Sequence, residues 1–363
     1  FRDNFKFCFV FLLPLYALKY FIRRAPDFFD WRSGVFEFPT DLDFMQGLSS
    51  ILSQADNEKN KQLTHQERKQ RLLTIQALLE ENHQTLEEKA DLLCEQGNLF
   101  WISKEYEEAI ASYDQALKLK PGFHKALLIK PLVAEFFHEQ GLRQSETGDY
   151  ESAIANFERA LQYQPDHYEA WNDRGVTLSN LGRYQDAIAS YEQALYYQGD
   201  FSEAWYNRGV ALADLGRYEE AIASYDQALY YEGDFYEAWY NRGLALDKLG
   251  QYEAAITSYE QTLHHQADFY PAWYNQGNVF RKLGRLEQAI TSYTQALELE
   301  PEDCEAWYNK ACCYALQGNL VQALENLKQA IQLDSHRYRT LARTDSDFDS
   351  IRQDERFQAL IDS

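Results

Sequence analysis

Two apolar stripes with helical spacing alternate along most of the chain. Trp205, Gly209 and Leu212 fall at i, i+4 and i+7, which is one face of a helix. Tyr218, Ala221, Tyr225 and Ala228 follow at i, i+3, i+7 and i+10, one face of a second helix. The intervening "LGRY" reads as a turn. Upstream, Leu72, Ile75, Leu79 and Leu86 recur at helical steps and predict one further stripe. "THQE" at 64–67 and "TLEE" at 85–88 both have capping-box form: a Thr that accepts from the third residue and a Glu that reaches back.

The stripes repeat. "EAWYNRG" stands at 203–209 and again at 237–243, with near copies at 169–175, 271–277 and 305–311. Ala109, Ala153, Ala187, Ala221, Ala255, Ala289 and Ala323 mark the second helix of each copy, 34 residues apart except for a first gap of 44. A small residue opens each copy (Gly97, Gly141, Gly175, Gly209, Gly243, Gly277, Ala311). A ring sits in its second helix (Tyr113, Phe157, Tyr191, Tyr225, Tyr259, Tyr293), with Leu327 in the last copy. A small residue lets two helix axes approach, and a ring fills the space beside them. One hairpin cannot bury both its faces, but stacked neighbours can.

A 34-residue helix–turn–helix carrying W, G, Y, A and a second ring resembles the tetratricopeptide repeat. The resemblance covers units at 90–123, 134–167, 168–201, 202–235, 236–269, 270–303 and 304–337. It implies an all-α, right-handed α-solenoid of about seven repeats. Residues 338–363 are expected to form a cap, in which Phe348, Ile351, Phe357, Leu360 and Ile361 cover the last apolar face. Pro121, Pro165 and Pro301 end their units as the family does, whereas Gly199, Gly233, Ala267 and Ser335 depart from it. Ten extra residues at 124–133 either lengthen a first helix, with a kink at Pro131, or form a separate link.

Composition narrows the function. Hydrophobic residues make up 45% of 363, enough for a core. A net charge of −22 repels nucleic-acid phosphate and argues against nucleic-acid partners. Five cysteines without a C-x-x-C spacing make neither a disulfide framework nor a zinc site, and fit a reducing, cytoplasmic compartment. Residues 1–50 are an atypical segment and 51–89 a helical lead-in. "FCFVFLLPLYAL" at 7–18 is shorter than the roughly 20 residues a helical span needs, so membrane contact through residues 7–22 is an alternative. The Arg residues that follow would then leave the repeats on the cytoplasmic side.

No phosphate loop, nucleophile elbow or H-E-x-x-H spacing occurs, so no catalytic residue, cofactor or metal ligand is assigned. The resemblance places binding on first-helix positions that line a groove. There lie Tyr206, Asn207, Tyr240, Asn241, Tyr274, Asn275, Tyr308 and Asn309. In "WYN", Trp is expected in the core and Tyr and Asn outside. A row of amides can hold a peptide backbone, and Tyr offers an apolar face with a hydroxyl. Groove cations are few (Lys248, Arg281, Lys282), and Glu169, Glu203 and Glu237 rim it. The expected function is a monomeric, non-catalytic scaffold for a neutral or basic protein or peptide. The alternatives are a membrane-tethered assembly factor, or the targeting module of an enzyme whose catalytic part lies elsewhere.

Overall fold

The computed structural model describes residues 63–81 and 83–362, which hold helices and no strand. The expectations for residues 1–50, including the segment at 7–22, lie outside the described residues. Among the described residues no helix is long and apolar enough to cross a membrane.

The chain divides into two compact units, 1–128 and 129–363. In the first, α1 (His65–Glu80) and α2 (Leu86–Ile102) each begin with a complete capping box, from Thr64 with Glu67 and from Thr85 with Glu88. Each box satisfies donors that the first helical turn leaves unpaired. Ile75 is fully buried from α1. Leu86 does not continue that stripe, contrary to expectation: it opens α2 and is exposed, because Glu81 ends α1 in extended backbone. α2 pairs with α3 (Tyr106–Leu119). The residues after α3 form one continuous helix, α4 (His124–Glu146), with Pro131 inside it. The ten extra residues therefore lengthen a first helix.

The second unit is an all-α solenoid of stacked hairpins. After α4 come α5 (Tyr150–Tyr163), α6 (Tyr168–Asn180), α7 (Tyr184–Tyr197), α8 (Ser202–Asp214) and α9 (Tyr218–Tyr231). The pattern continues through α10 (Tyr236–Lys248), α11 (Tyr252–His265), α12 (Tyr270–Lys282), α13 (Leu286–Leu299), α14 (Cys304–Leu316) and α15 (Leu320–Leu333). From α6 onward each first helix pairs with its own second helix, and successive first helices touch. The turn inside each hairpin needs a left-handed residue: Gly216 has φ +74°, where a Cβ would be strained.

The core of each hairpin is a ring against a glycine. A Cβ added to Gly209 would stand 2.5 Å from Cε1 of Tyr225, a ring that is 1% exposed. The last hairpin uses Ala311, and Leu327 replaces the ring; both are fully buried. Glycine is thus spent where a large ring must cross the helix closely, and dispensed with where the ring is gone. α16 (Ser335–Thr344), a 3₁₀ turn (Ser346–Phe348) and α17 (Glu355–Asp362) close the array. Phe348, Ile351, Phe357 and Ile361 are buried there with Tyr308 and Leu327, and Leu360 packs at the edge.

Candidate functional site

The repeated heptad lies on the first helices, and each of its residues has a separate contact. Ala204 and Ala238 are fully buried. The tryptophan departs from expectation. It is half-exposed, and its indole Nε1 donates at 2.9 Å to the carbonyl at the end of the preceding unit: Trp171 to Pro165, Trp205 to Gly199, Trp239 to Gly233. The core slot belongs to the neighbouring alanine, because helices this close leave no room for an indole there. Trp instead latches the interunit turn.

The arginine that follows is a second latch. Arg208 Nη2 meets Glu192 of the preceding second helix at 3.0 Å, while Nη1 donates to Ser224 of its own second helix at 2.7 Å. Arg174 and Arg242 repeat the arrangement with Glu158 and Ser190, and with Asp226 and Ser258. This role went unassigned from sequence, although Arg and Ser recur in phase and carry the signal.

Tyr and Asn form a ladder. Asn241 Nδ2 donates to the Tyr206 hydroxyl at 2.8 Å, Asn275 to Tyr240 at 3.0 Å and Asn309 to Tyr274 at 3.2 Å. Asn207 donates to Asn172 Oδ1 at 3.0 Å. The structure thus brings all eight predicted residues onto one seam. Seven of them are half-buried; Tyr308 is buried beneath Phe348 and donates to Asp345 at 2.8 Å. Burial raises the Tyr206 hydroxyl to about 12, with the Glu237 carboxylate adding to it, so it stays protonated. Among the described residues no partner engages Oδ1 of Asn207, Asn241 or Asn275.

Cations along this seam are already paired. Arg281 meets Asp347 at 2.6 Å and Lys282 meets Asp247 at 2.6 Å, leaving Lys248 exposed. Glu169 turns to His167 at 3.2 Å. The seam offers no cluster of free cations for a carboxylate among the described residues. Two of the thiols are held protonated: burial pushes Cys94 up to about 12, helped by Asp91, and raises Cys313 to about 12 against the opposing charge of Arg281. Protonated buried thiols are packing groups and not nucleophiles. Cys94, Cys304, Cys312 and Cys313 are free.

Tetratricopeptide-repeat profiles match residues 90–123, 138–196, 177–237, 236–269 and 304–337, and a TPR-repeat profile matches 277–318. No curated protein sequence is a match. The chain is similar to YrrB, described as a TPR protein with an unusual peptide-binding site: 24% identity, TM-score 0.47, covering 50% of this chain and 94% of YrrB. It is similar to the type IV pilus biogenesis factor PilW at 24% identity and TM-score 0.49, over 63% of this chain and 98% of PilW. A MamA fragment from Desulfovibrio magneticus RS-1 is 21% identical with TM-score 0.45, over 47% of this chain and 96% of the fragment. The hairpin period, the glycine–ring pairs and the profile matches together place this chain in the tetratricopeptide-repeat family.

Proposed function

We propose that the array is a protein-interaction scaffold that holds a partner segment along the open face of α8, α10 and α12, without catalysis of its own. The observation that carries this reading is the ladder. It sets one amide acceptor per unit (Asn207, Asn241, Asn275) beside the half-exposed Val210 and Leu244. Regularly spaced acceptors suit backbone N–H groups of an extended or helical segment, and the apolar neighbours suit its side chains. Because Arg281 and Lys282 are occupied, the partner is neutral or basic where it meets the seam. The four free cysteines among the described residues fit a reducing compartment.

The test is site-specific photocrosslinking in cells. A photoreactive residue replaces Asp214 or Lys248, both exposed at the ends of first helices, or Tyr196 or Tyr230, both exposed on second helices. The proposal expects the same partner to crosslink from Asp214 and Lys248 and not from Tyr196 or Tyr230. Crosslinks confined to the second helices would refute it.

A further inference from the structure

The ladder changes chemistry at its N-terminal end. In the units at 202–235 and 236–269, Tyr206 packs on Phe235 with centroids 4.8 Å apart, and Tyr240 on Phe269 at 5.1 Å. Asn241 and Asn275 close those rungs. In the unit at 134–167 the corresponding residues are His138 and His167, with centroids 4.7 Å apart, and the rung is closed by Asp173. Three departures from the repeat's own pattern therefore meet at one point. The seam's geometry is retained, while two apolar rings become imidazoles and an amide becomes a carboxylate.

We propose that Glu135, His138 and His167 bind a divalent transition-metal ion of the zinc class. One donor atom from each of the three lies within 4.8 Å of the other two. Glu135 and His138 are three residues apart on α4, so they share a face; His167 caps the start of α6. Each imidazole has a carboxylate of its own: His138 Nε2 meets Asp173 at 2.7 Å and His167 Nδ1 meets Glu169 at 3.2 Å. Such an outer carboxylate fixes the ring and leaves its other nitrogen for an ion. His138 Nδ1 is that nitrogen here. Its side chain is 4% exposed, and Nδ1 has no hydrogen-bond partner among the described residues. His167 Nε2 stands 3.3 Å from Glu135 Oε2. A tetrahedral ion with bonds of about 2.0–2.1 Å separates its ligands by about 3.3–3.4 Å, so this pair is already spaced for one.

Two imidazoles and a carboxylate favour zinc-like ions over calcium or magnesium, which prefer all-oxygen sets. Glu135 and Asp173 are 22% and 26% exposed in their side chains, which gives an ion a way in. A proton is the competitor. Burial disfavours a charged His167, but the Glu135 and Glu169 carboxylates outweigh it and raise this imidazole to about 9. The other cluster of possible ligands, Cys312 with Asp345 and Asp347, lacks this character. Arg281 already neutralises Asp347, and Tyr308 donates to Asp345. The ion would tie α4 to α6, joining two consecutive hairpins.

The experiment titrates chelator-stripped full-length protein with Zn²⁺ by calorimetry at pH 8, and with Co²⁺ by visible absorption. The proposal expects one equivalent bound, ligand-field bands from Co²⁺, and a melting temperature that rises with Zn²⁺. The triple variant His138→Tyr/His167→Phe/Asp173→Asn installs the rung that the chain already folds at 206, 235 and 241. It should keep its helicity and bind Zn²⁺ at least about 100-fold more weakly. Asp173→Asn alone should weaken binding about 10–100-fold. His264→Asn/His265→Asn, which removes an exposed pair, should bind as the parent does. Failure of the parent to bind an equivalent of Zn²⁺, undiminished binding by the triple variant, or loss of binding in the His264/His265 variant would each overturn the proposal.

Discussion

Gly209→Ala is the most direct probe of how these hairpins close. The new methyl carbon would stand 2.5, 2.7 and 3.0 Å from Cε1, Cδ1 and Cζ of Tyr225. Comfortable carbon contacts lie at about 3.5–4.0 Å, so three ring atoms are overlapped by about 0.5–1.5 Å. The ring is 1% exposed and cannot swing away, so α8 and α9 must part. Overpacking of this kind costs about 1–3 kcal/mol. Alanine's helix propensity returns about 0.8–1.0 kcal/mol relative to glycine. The net expectation is a loss of about 0–2 kcal/mol. Tyr225→Leu alone leaves a cavity costing about 1–3 kcal/mol on the scale of large-to-small core changes. The double variant reproduces the Ala311–Leu327 pair that the last hairpin already uses. It should therefore be more stable than the sum of the singles predicts, with a coupling of about 1–3 kcal/mol. Urea unfolding followed by far-ultraviolet circular dichroism measures the cycle. Hydrogen exchange of α8 and α9 locates the loss, since repeat arrays can unfold in parts. Losses that are simply additive across the cycle would refute the glycine–ring argument.

Lys104 holds φ 65° where the later hairpins use glycine, so Lys104→Gly should stabilise the first hairpin by about 0.5–1 kcal/mol in urea unfolding. The Tyr259 hydroxyl is buried without a partner whereas that of Tyr293 donates to Asn278 at 2.8 Å. Tyr259→Phe should accordingly be neutral or gain about 1 kcal/mol, and Tyr293→Phe should lose about 1 kcal/mol, when their melting curves are compared. Gly199 accepts from Trp205 as Pro165 does from Trp171, both at 2.9 Å, so Gly199→Pro keeps that bond. It should raise stability by about 0.4–1 kcal/mol through the unfolded chain, and a lower melting temperature would count against it.

The period was legible because stacking imposes it: each unit must present the same surface to its neighbour. Caps at Thr64 and Thr85 were legible because their hydrogen bonds are local in sequence. Trp205 was misread because spacing identifies a helix face and cannot tell a core slot from the edge beside it. Its position one residue after a fully buried alanine was the available clue. Leu86 was misassigned because helical spacing continues across a break between two helices. The in-phase recurrence of Tyr and Asn was legible, but the hydrogen bonds between them join residues about one period apart and appear only once the hairpins are stacked. The histidine cluster escaped for a similar reason. His138 and His167 are 29 residues apart, which matches no ligand motif, and only alignment of the chain against itself shows both replacing rings.

If three side chains convert a structural rung into a metal site, the site can be moved. The units at 202–235 and 236–269 already have Glu203 and Glu237 at the positions of Glu135 and Glu169. Tyr206→His, Phe235→His and Asn241→Asp would complete the set on a rung whose ring separation, 4.8 Å, is close to the 4.7 Å of the histidine pair. The substitutions exchange side chains that are half-buried and facing one another, so the hairpins need not move apart. Imidazole is smaller than either ring it replaces, and some packing is lost; bound Zn²⁺ should recover it. Titration of this variant should give two equivalents of Zn²⁺ where the parent gives one. In the background of His138→Tyr/His167→Phe/Asp173→Asn it should restore one where there was none. An unchanged stoichiometry in a variant with parental helicity would mean that rung geometry alone does not make the site, and that something peculiar to α4 is required.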